Sequence, residues 1–268
     1  MNFIRSLDNA SKIIKQINSI KISASLSYLP VVTKDPQEVK KNIEIYSAML
    51  DRIKNENLDS DITLKLHQFG VYKHLSLAAE SIEAVARHAA SLGNFVWIDM
   101  ERKVTVEATI EIFENIWDKY HNVGICLQAY LERTEADMKY LLAKRVPMRL
   151  VKGFYKPSDF KDWSRVTENY SHLIEILLKH SDRPCIATHD LALIEKAKRI
   201  IREQNLTNAE IQFFRGVRDK LAKQLVDEGF KVRLYVPYGN LMRFLLKGLP
   251  TFDNFHHLQR LLGFKKLV

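Results

Sequence analysis

Eight short apolar runs, each followed by a stretch of helical periodicity, constrain this chain more tightly than any other feature of its sequence. The runs lie at residues 20–26, 62–66, 95–98, 123–127, 146–151, 184–187, 211–214 and 232–236. Their lengths are those of buried strands, and they are too short for ordinary helices. A helix is expected to open at Pro36 with Asp35 as its N-cap, because Val39, Ile43, Tyr46, Leu50 and Ile53 then share one face. Further helices are expected at 78–92, stopped by Gly93, and at 104–120, 135–143 and 163–178. The remaining ones run to 202 behind a cap at 188–190, over 216–228, and through 246. Eight such alternations in about 250 residues predict an α/β fold of the (β/α)8-barrel type. A doubly wound sheet would need a glycine-rich turn after its first strand, and residues 26–30 contain no glycine. No Pro/Gly/Ser-rich linker interrupts the pattern, so residues 1–268 are expected to form a single domain.

Composition narrows the function classes. With 46% apolar and 27% charged residues the chain can bury a full globular core. Its apolar runs fall well short of the ~20 residues that span a bilayer, and residues 1–20 lack the apolar stretch of a secretory signal. Cys126 and Cys185 both fall inside expected strands and belong to no CxxC pair, which fits inert thiols in a reducing, cytoplasmic setting. The formal charge of +9 is spread among acidic residues along helices. Without a basic stripe interleaved with aromatics, no nucleic-acid partner is expected. The tail 251–268 reads as an extra C-terminal amphipathic helix, with Phe252, Phe255, Leu258 and Leu262 on one face and Lys265-Lys266 near its end. It is expected to pack on the barrel or to make a peripheral contact with a membrane surface.

The chemistry-bearing residues gather at strand ends. Lys65, Asp99 and Gln128 close three successive strands, and Arg149, Lys152 and Gly153 close the next. Long cations inside or just past an apolar run are costly unless a ligand or carboxylate faces them, and the carboxyl ends of barrel strands are where such ligands bind. Gly216, at an expected helix start between Arg215 and Arg218, reads as a phosphate cradle, with Lys152, Gly153, Thr188 and His189 as further donors to a long anionic cofactor. A desolvated Lys65 or Lys152 leaves Schiff-base chemistry open. No HExxH, nucleophile elbow or P-loop occurs, and no metal site is expected.

Taken together, ITLKL (62–66), WIDME (97–101), GICLQAYL (124–131), RLVKGFY (149–155), ATHD (187–190), GVRD (216–219) and YVPYG (235–239) resemble the FAD-dependent proline dehydrogenase family, in family order over residues 20–240. The resemblance implies a distorted (β/α)8 barrel with FAD at the carboxyl ends of the strands. It also implies hydride transfer from proline C5 to flavin N5, with electrons passed on to a quinone or another carrier. It places Lys65, Asp99, Tyr155 and Tyr235 on the substrate side. Gln128, Arg149, Lys152, Gly153, Thr188, His189 and Gln212 fall on the flavin side. Phe214 joins Tyr155 and Tyr235 as a wall for a small cyclic amine.

One segment departs from the family. After YVPYG the family carries an arginine pair, which clamps the substrate carboxylate, and a glutamate. Residues 240–250 read NLMRFLLKGLP, with only Arg243 and Lys247 near those places, and Phe154 stands where the family has a small residue. Three alternatives to free proline oxidation follow: a divergent homologue acting on a carboxylate-masked proline derivative, a Schiff-base lyase using Lys65 or Lys152, or a silent flavin-binding module.

Overall fold

A computed structural model describes residues 4–29, 33, 35–153 and 158–239. Eight parallel strands close into a barrel in sequence order: β1 Ser23–Leu29, β2 Ser60–Lys65, β3 Val96–Asp99, β4 Val123–Gln128, β5 Met148–Val151, β6 Pro184–Ala187, β7 Glu210–Phe214 and β8 Lys231–Gly239. The helices are α1 Leu7–Asn18, α2 Pro36–Asn55, α3 Leu75–Ser91, α4 Val106–Tyr120, α5 Thr134–Leu142, α6 Trp163–His180, α7 Leu191–Glu203 and α8 Asp219–Asp227. The expected fold class is therefore the observed one. Residues 240–268, including the expected eighth helix and the amphipathic tail, lie outside the described residues.

Local signals set most boundaries. Asp35 caps α2 by accepting from the Gln37 N–H at 2.9 Å, with Pro36 in the first turn. Asp190 caps α7 through the Ala192 and Leu193 N–H groups. Two differences have physical causes. The first strand begins at Ser23 rather than at 20, because Lys21 takes φ 60° in the turn that leaves α1. Helix α1 itself was not anticipated. Its buried face, Ala10, Ile14 and Ile17, covers the seam where β8 meets β1. At one end the Gly239 N–H donates to Ile4 O at 2.9 Å. At the other, the Asn18 amide donates to Ile22 O and accepts from the Asp59 N–H, at 2.9 and 3.0 Å.

Apolar side chains fill the shell between strands and helices, where Ile62, Leu64, Ile98, Leu150, Ile174 and Ile194 are fully buried. Burial of this shell is the main favourable term in the fold. The inside of the barrel is different. Branched apolar residues usually fill such barrels, but here the lower layer is a charge cluster. Arg233 donates to both Glu210 oxygens, at 2.8 and 3.0 Å, and to Ala24 O at 2.7 Å. Asp61 takes Arg183 and Arg233, each at 3.2 Å. Burial pushes the Glu210 carboxyl up, but Arg233 and then Arg183 pull it well below the usual carboxylate range. Two carboxylates thus face two guanidiniums in a compensated set, and breaking one partner out of such a set costs about 3–5 kcal/mol.

Candidate active site

The barrel mouth is built by stepping up each strand two residues at a time, since alternate side chains point to the same side. On β2 this gives Asp61, Thr63 and Lys65; on β3, Trp97 and Asp99; on β8, Arg233 and Tyr235. Hydrogen bonds across the barrel fix the upper layers. Lys65 Nζ donates to Asp99 Oδ2 and to the Tyr235 hydroxyl, both at 2.7 Å. Arg149 reaches from β5 to Asp99 at 3.3 Å, Thr63 at 3.2 Å and Ser25 at 3.3 Å. Thr63 and Ser25 in turn share a 2.8 Å hydrogen bond. Lys65 and Arg149 are buried. The cluster of Lys65, Asp99 and Arg149 holds one more cation than carboxylate, a net attraction for an anionic group at the mouth. Burial raises the pKa of the Tyr235 phenol, and the neighbouring Lys65 only partly opposes this.

A row of rings borders this cluster. Phe214 meets Tyr235 edge-on at 5.0 Å and stacks on His189 at 5.8 Å. Phe214 is 39% exposed, a large apolar surface turned toward the mouth. The His189 Nε2 accepts from the Phe214 N–H at 2.9 Å, which requires that nitrogen to be unprotonated. Burial, and after it Arg218, lowers the His189 pKa to about 4, so the ring is neutral at ordinary pH.

The residues read as flavin-side divide into groups. Lys152 Nζ donates to Thr167 and Asp190 at 2.8 and 2.9 Å, pinning the end of β5 to α6 and α7. Gly153 follows at φ 107°, and a Cβ there would stand 2.0 Å from Tyr130 Cδ1, so only glycine passes. Thr188 is buried and accepts from the Asp190 N–H at 3.2 Å. Gln128 donates to Met100 O at 3.0 Å. Gln212 turns down instead, donating to Glu210 at 2.9 Å in the lower cluster. Arg215 is half-buried at the end of β7, where its N–H donates to Tyr235 O at 3.1 Å.

At the expected phosphate cradle the helix starts later than Gly216. Helix α8 starts at Asp219, whose carboxylate takes the Gly216 N–H at 2.7 Å. The Arg218 Nε–H is spent on His189 O at 2.8 Å. Both groups already have internal partners. Tyr155, Arg243 and Lys247 lie outside the described residues. A Schiff-base lysine needs a free amine, whereas Lys65 and Lys152 are each held by a carboxylate.

Among the buried polar atoms with no hydrogen-bond partner among the described residues are Gln128 Oε1, an acceptor, and Arg149 Nε, a donor. Such atoms are costly unless a bound group satisfies them. A flavin ring carries both donors and acceptors, so these residues fit that group.

A family model described as proline dehydrogenase matches residues 10–247. The chain belongs to the proline dehydrogenase family. It is 33% identical to proline dehydrogenase 2 of Bacillus subtilis (strain 168) over 231 residues, covering 84% of this chain and 76% of that one. With the proline dehydrogenase of Deinococcus radiodurans it shares 28% identity over 244 residues, 87% of this chain and 79% of the relative. Among solved structures it resembles proline utilization A from Bdellovibrio bacteriovorus inactivated by N-propargylglycine, with a TM-score of 0.83 and 20% identity over 97% of this chain. Proline utilization A from Corynebacterium freiburgense gives 0.79 and 19%, also over 97%. The chain spans 32% and 30% of those two longer chains, and at these identities the likeness shows the barrel fold alone. Proline dehydrogenases are oxidoreductases, so this family member is an enzyme of that class.

Sequence reasoning missed Glu101 and His67, which sit beside the mouth of this proline dehydrogenase family barrel. His67 Nδ1 meets Glu101 Oε1, and the His67 N–H donates to the other oxygen at 3.1 Å. Burial pushes the Glu101 carboxyl up, but His67 outweighs it and the carboxyl is lowered. Spacing offered a signal, because Glu101 stands two residues past Asp99. Ser25, Thr63 and Trp97 were missed for the converse reason. They lie inward and below the strand ends, at positions found only by stepping back two residues at a time.

Proposed function

We propose that this chain is an FAD-dependent dehydrogenase that oxidises proline, or a proline-like cyclic amine, to the corresponding imine. Hydride would pass from the ring carbon next to nitrogen to N5 of FAD held at the mouth, the amine proton would be released, and the electrons would then go to a quinone or another carrier. The carrying observation is the mouth cluster, in which Lys65, Asp99, Arg149 and Tyr235 meet beside exposed Phe214. Gln128, Arg149, Lys152, Gly153, Thr188 and His189 would hold the cofactor, with Arg215 at the edge and Gln212 acting from below. Bound there, the flavin supplies the hydride acceptor that no protein side chain can replace.

The chain's own groups do the rest. Tyr235 and Phe214 present ring faces that hold a small apolar ring and keep water out. Asp99 and Tyr235 fix Lys65 at the polar edge, so the site is organised before substrate arrives. The surplus cation, Arg149, favours the negative charge that accumulates on the acceptor side during reduction. Substrate-side contacts from Tyr155, and carboxylate contacts from Arg243 or Lys247, belong to the same reading.

The binding of FAD is non-covalent in this account. His189 is a neutral hydrogen-bond acceptor, and burial pushes the Cys126 thiol up to about 12, so neither is a poised tether. Denaturation should release FAD intact, and protein incubated with L-proline and an artificial acceptor should yield the cyclic imine. A colourless protein that takes up no FAD on reconstitution contradicts the reading. In the same reading residues 1–268 act as one flavin-binding unit, with the tail 251–268 packing on the barrel or making a peripheral membrane contact. Flotation on anionic vesicles that is undiminished by truncation after residue 250 contradicts the membrane contact given to the tail.

A further inference from the structure

Trp97 lies one inward step below Asp99 on β3, fully buried. Its indole is fixed from several directions. Nε1–H donates to Asp61 Oδ2 at 2.9 Å, and that oxygen is itself held by Arg183 and Arg233 in the lower charge cluster, each at 3.2 Å. The Phe95 ring meets the indole edge-on at 5.2 Å. On the neighbouring strand β4, Gly124 clears the space, since a Cβ there would stand 2.5 Å from Trp97 Cζ3. The guanidinium of Arg149 sits over the indole, 4.5 Å from the ring centroid.

Arg149's own hydrogen bonds are loose. Its contacts with Thr63, Asp99 and Ser25 all measure 3.2–3.3 Å, at the long end of the N–H···O range. Its Nε has no partner among the described residues. Three long tethers leave the plane of the guanidinium poorly defined, and the indole face supplies the missing constraint. A desolvated cation over an indole is the strongest pairing of this kind.

We propose that Trp97 is a positioning residue for Arg149: its indole, anchored by Asp61 and admitted by Gly124, is the platform that sets where the guanidinium stands in the mouth. The role extends the dehydrogenase reading, because that reading gives the Arg149 cation its use. A side chain that merely filled the barrel would need neither the Nε1 anchor nor a glycine opposite. The device also explains why a charge cluster occupies the lower layer. Asp61, held by two arginines, is a fixed post on which the platform rests.

Two measurements test this, one of them independent of flavin. The sequence holds three tryptophans, so Trp117→Phe with Trp163→Phe leaves Trp97 as the only tryptophan, read by excitation beyond the tyrosine band. In flavin-free protein of that background, Arg149→Met should shift the emission maximum and change the intensity. Unchanged emission overturns the platform. In flavin-loaded protein, Trp97→Leu should slow flavin reduction at saturating substrate by roughly tenfold while moving KM by no more than about twofold. It should also lower the flavin midpoint potential, and Trp97→Phe, which keeps a ring face but loses the Nε1 anchor, should recover only part of both losses.

The decisive comparison is made in an Arg149→Met background, where Trp97→Leu should add nothing further. An equal cost with and without Arg149 makes Trp97 a core filler and overturns the proposal. Should Trp97→Leu fail to fold, Gly124→Ala displaces the indole without deleting it and is read in the same cycle. Failure of the unsubstituted protein to take up flavin contradicts the dehydrogenase reading instead, and the emission measurement still decides the platform.

Discussion

Lys65 shows how a single residue organises the mouth. Its ammonium is shared between Asp99 and Tyr235, each at 2.7 Å, so it joins β2 to β3 on one side and to β8 across the barrel seam. Lys65→Met should leave FAD bound but slow flavin reduction by substrate by roughly a hundredfold, the usual cost of a misplaced polar edge. Rapid-mixing absorbance reads this directly, and an unchanged rate would make Lys65 structural. His189 makes a second residue-scale prediction. Its folded pKa of about 4 lies below the ordinary 6.5, so an unfolded chain takes up the proton first as pH falls. The stability present above about 6.5 should therefore drain away between pH 6.5 and 4, by at most about 3 kcal/mol and less where solvent reaches the ring. Thermal melts across that range should show the slope, and His189→Gln should flatten it. An identical slope in the variant contradicts the assignment.

At the scale of elements, the end of β5 is the least tolerant segment. Gly153 combines φ 107° with a Cβ position 2.0 Å from the Tyr130 ring. Gly153→Ala should cost about 1–3 kcal/mol in strain and clash and lower Tm by several degrees. Flavin content should fall with it, because Lys152 and Gly153 turn together; a variant with wild-type Tm and flavin content would show that the turn is not needed. These elements also show what was legible in the sequence. Strand ends were readable because Lys65, Asp99, Gln128 and Arg149 interrupt apolar runs, where a polar residue needs a reason. Helices α2 and α7 announced themselves through Asp35 and Asp190. The helix start expected at Gly216 lies at Asp219, because chain order cannot show that Asp219 folds back onto the Gly216 N–H. That Gln212 donates to Glu210 was not legible, since its direction depends on what lies below it in the barrel.

For the whole molecule, the barrel separates two tasks usually blended in one core. Apolar packing between strands and helices supplies stability, while the interior is given to charge: a compensated cluster below, and a cluster with one surplus cation above. Helix α1 was illegible as part of this plan, because the need for it arises only once β8 and β1 meet and their outer faces require cover. No helix among the described residues is long and apolar enough to cross a membrane. Membership of the proline dehydrogenase family fixes the chemical class, whereas the segment 240–250, without the arginine pair, bears on which substrate fits.

Anaerobic stopped-flow reduction of the bound flavin by L-proline, a proline ester and prolinamide, each over a wide concentration range, reads both the chemistry and the carboxylate contacts. Each charge-assisted carboxylate contact contributes about 1.5–3 kcal/mol, so absence of the arginine pair should weaken free L-proline by about two to four decades. All three should bleach the flavin, with L-proline saturating only at roughly millimolar levels or above and the masked forms saturating earlier. Flavin that stays oxidised with every one of them would contradict the dehydrogenase reading. Saturation by L-proline at low micromolar levels, ahead of the masked forms, would show the carboxylate clamp rebuilt and contradict the reading of residues 240–250.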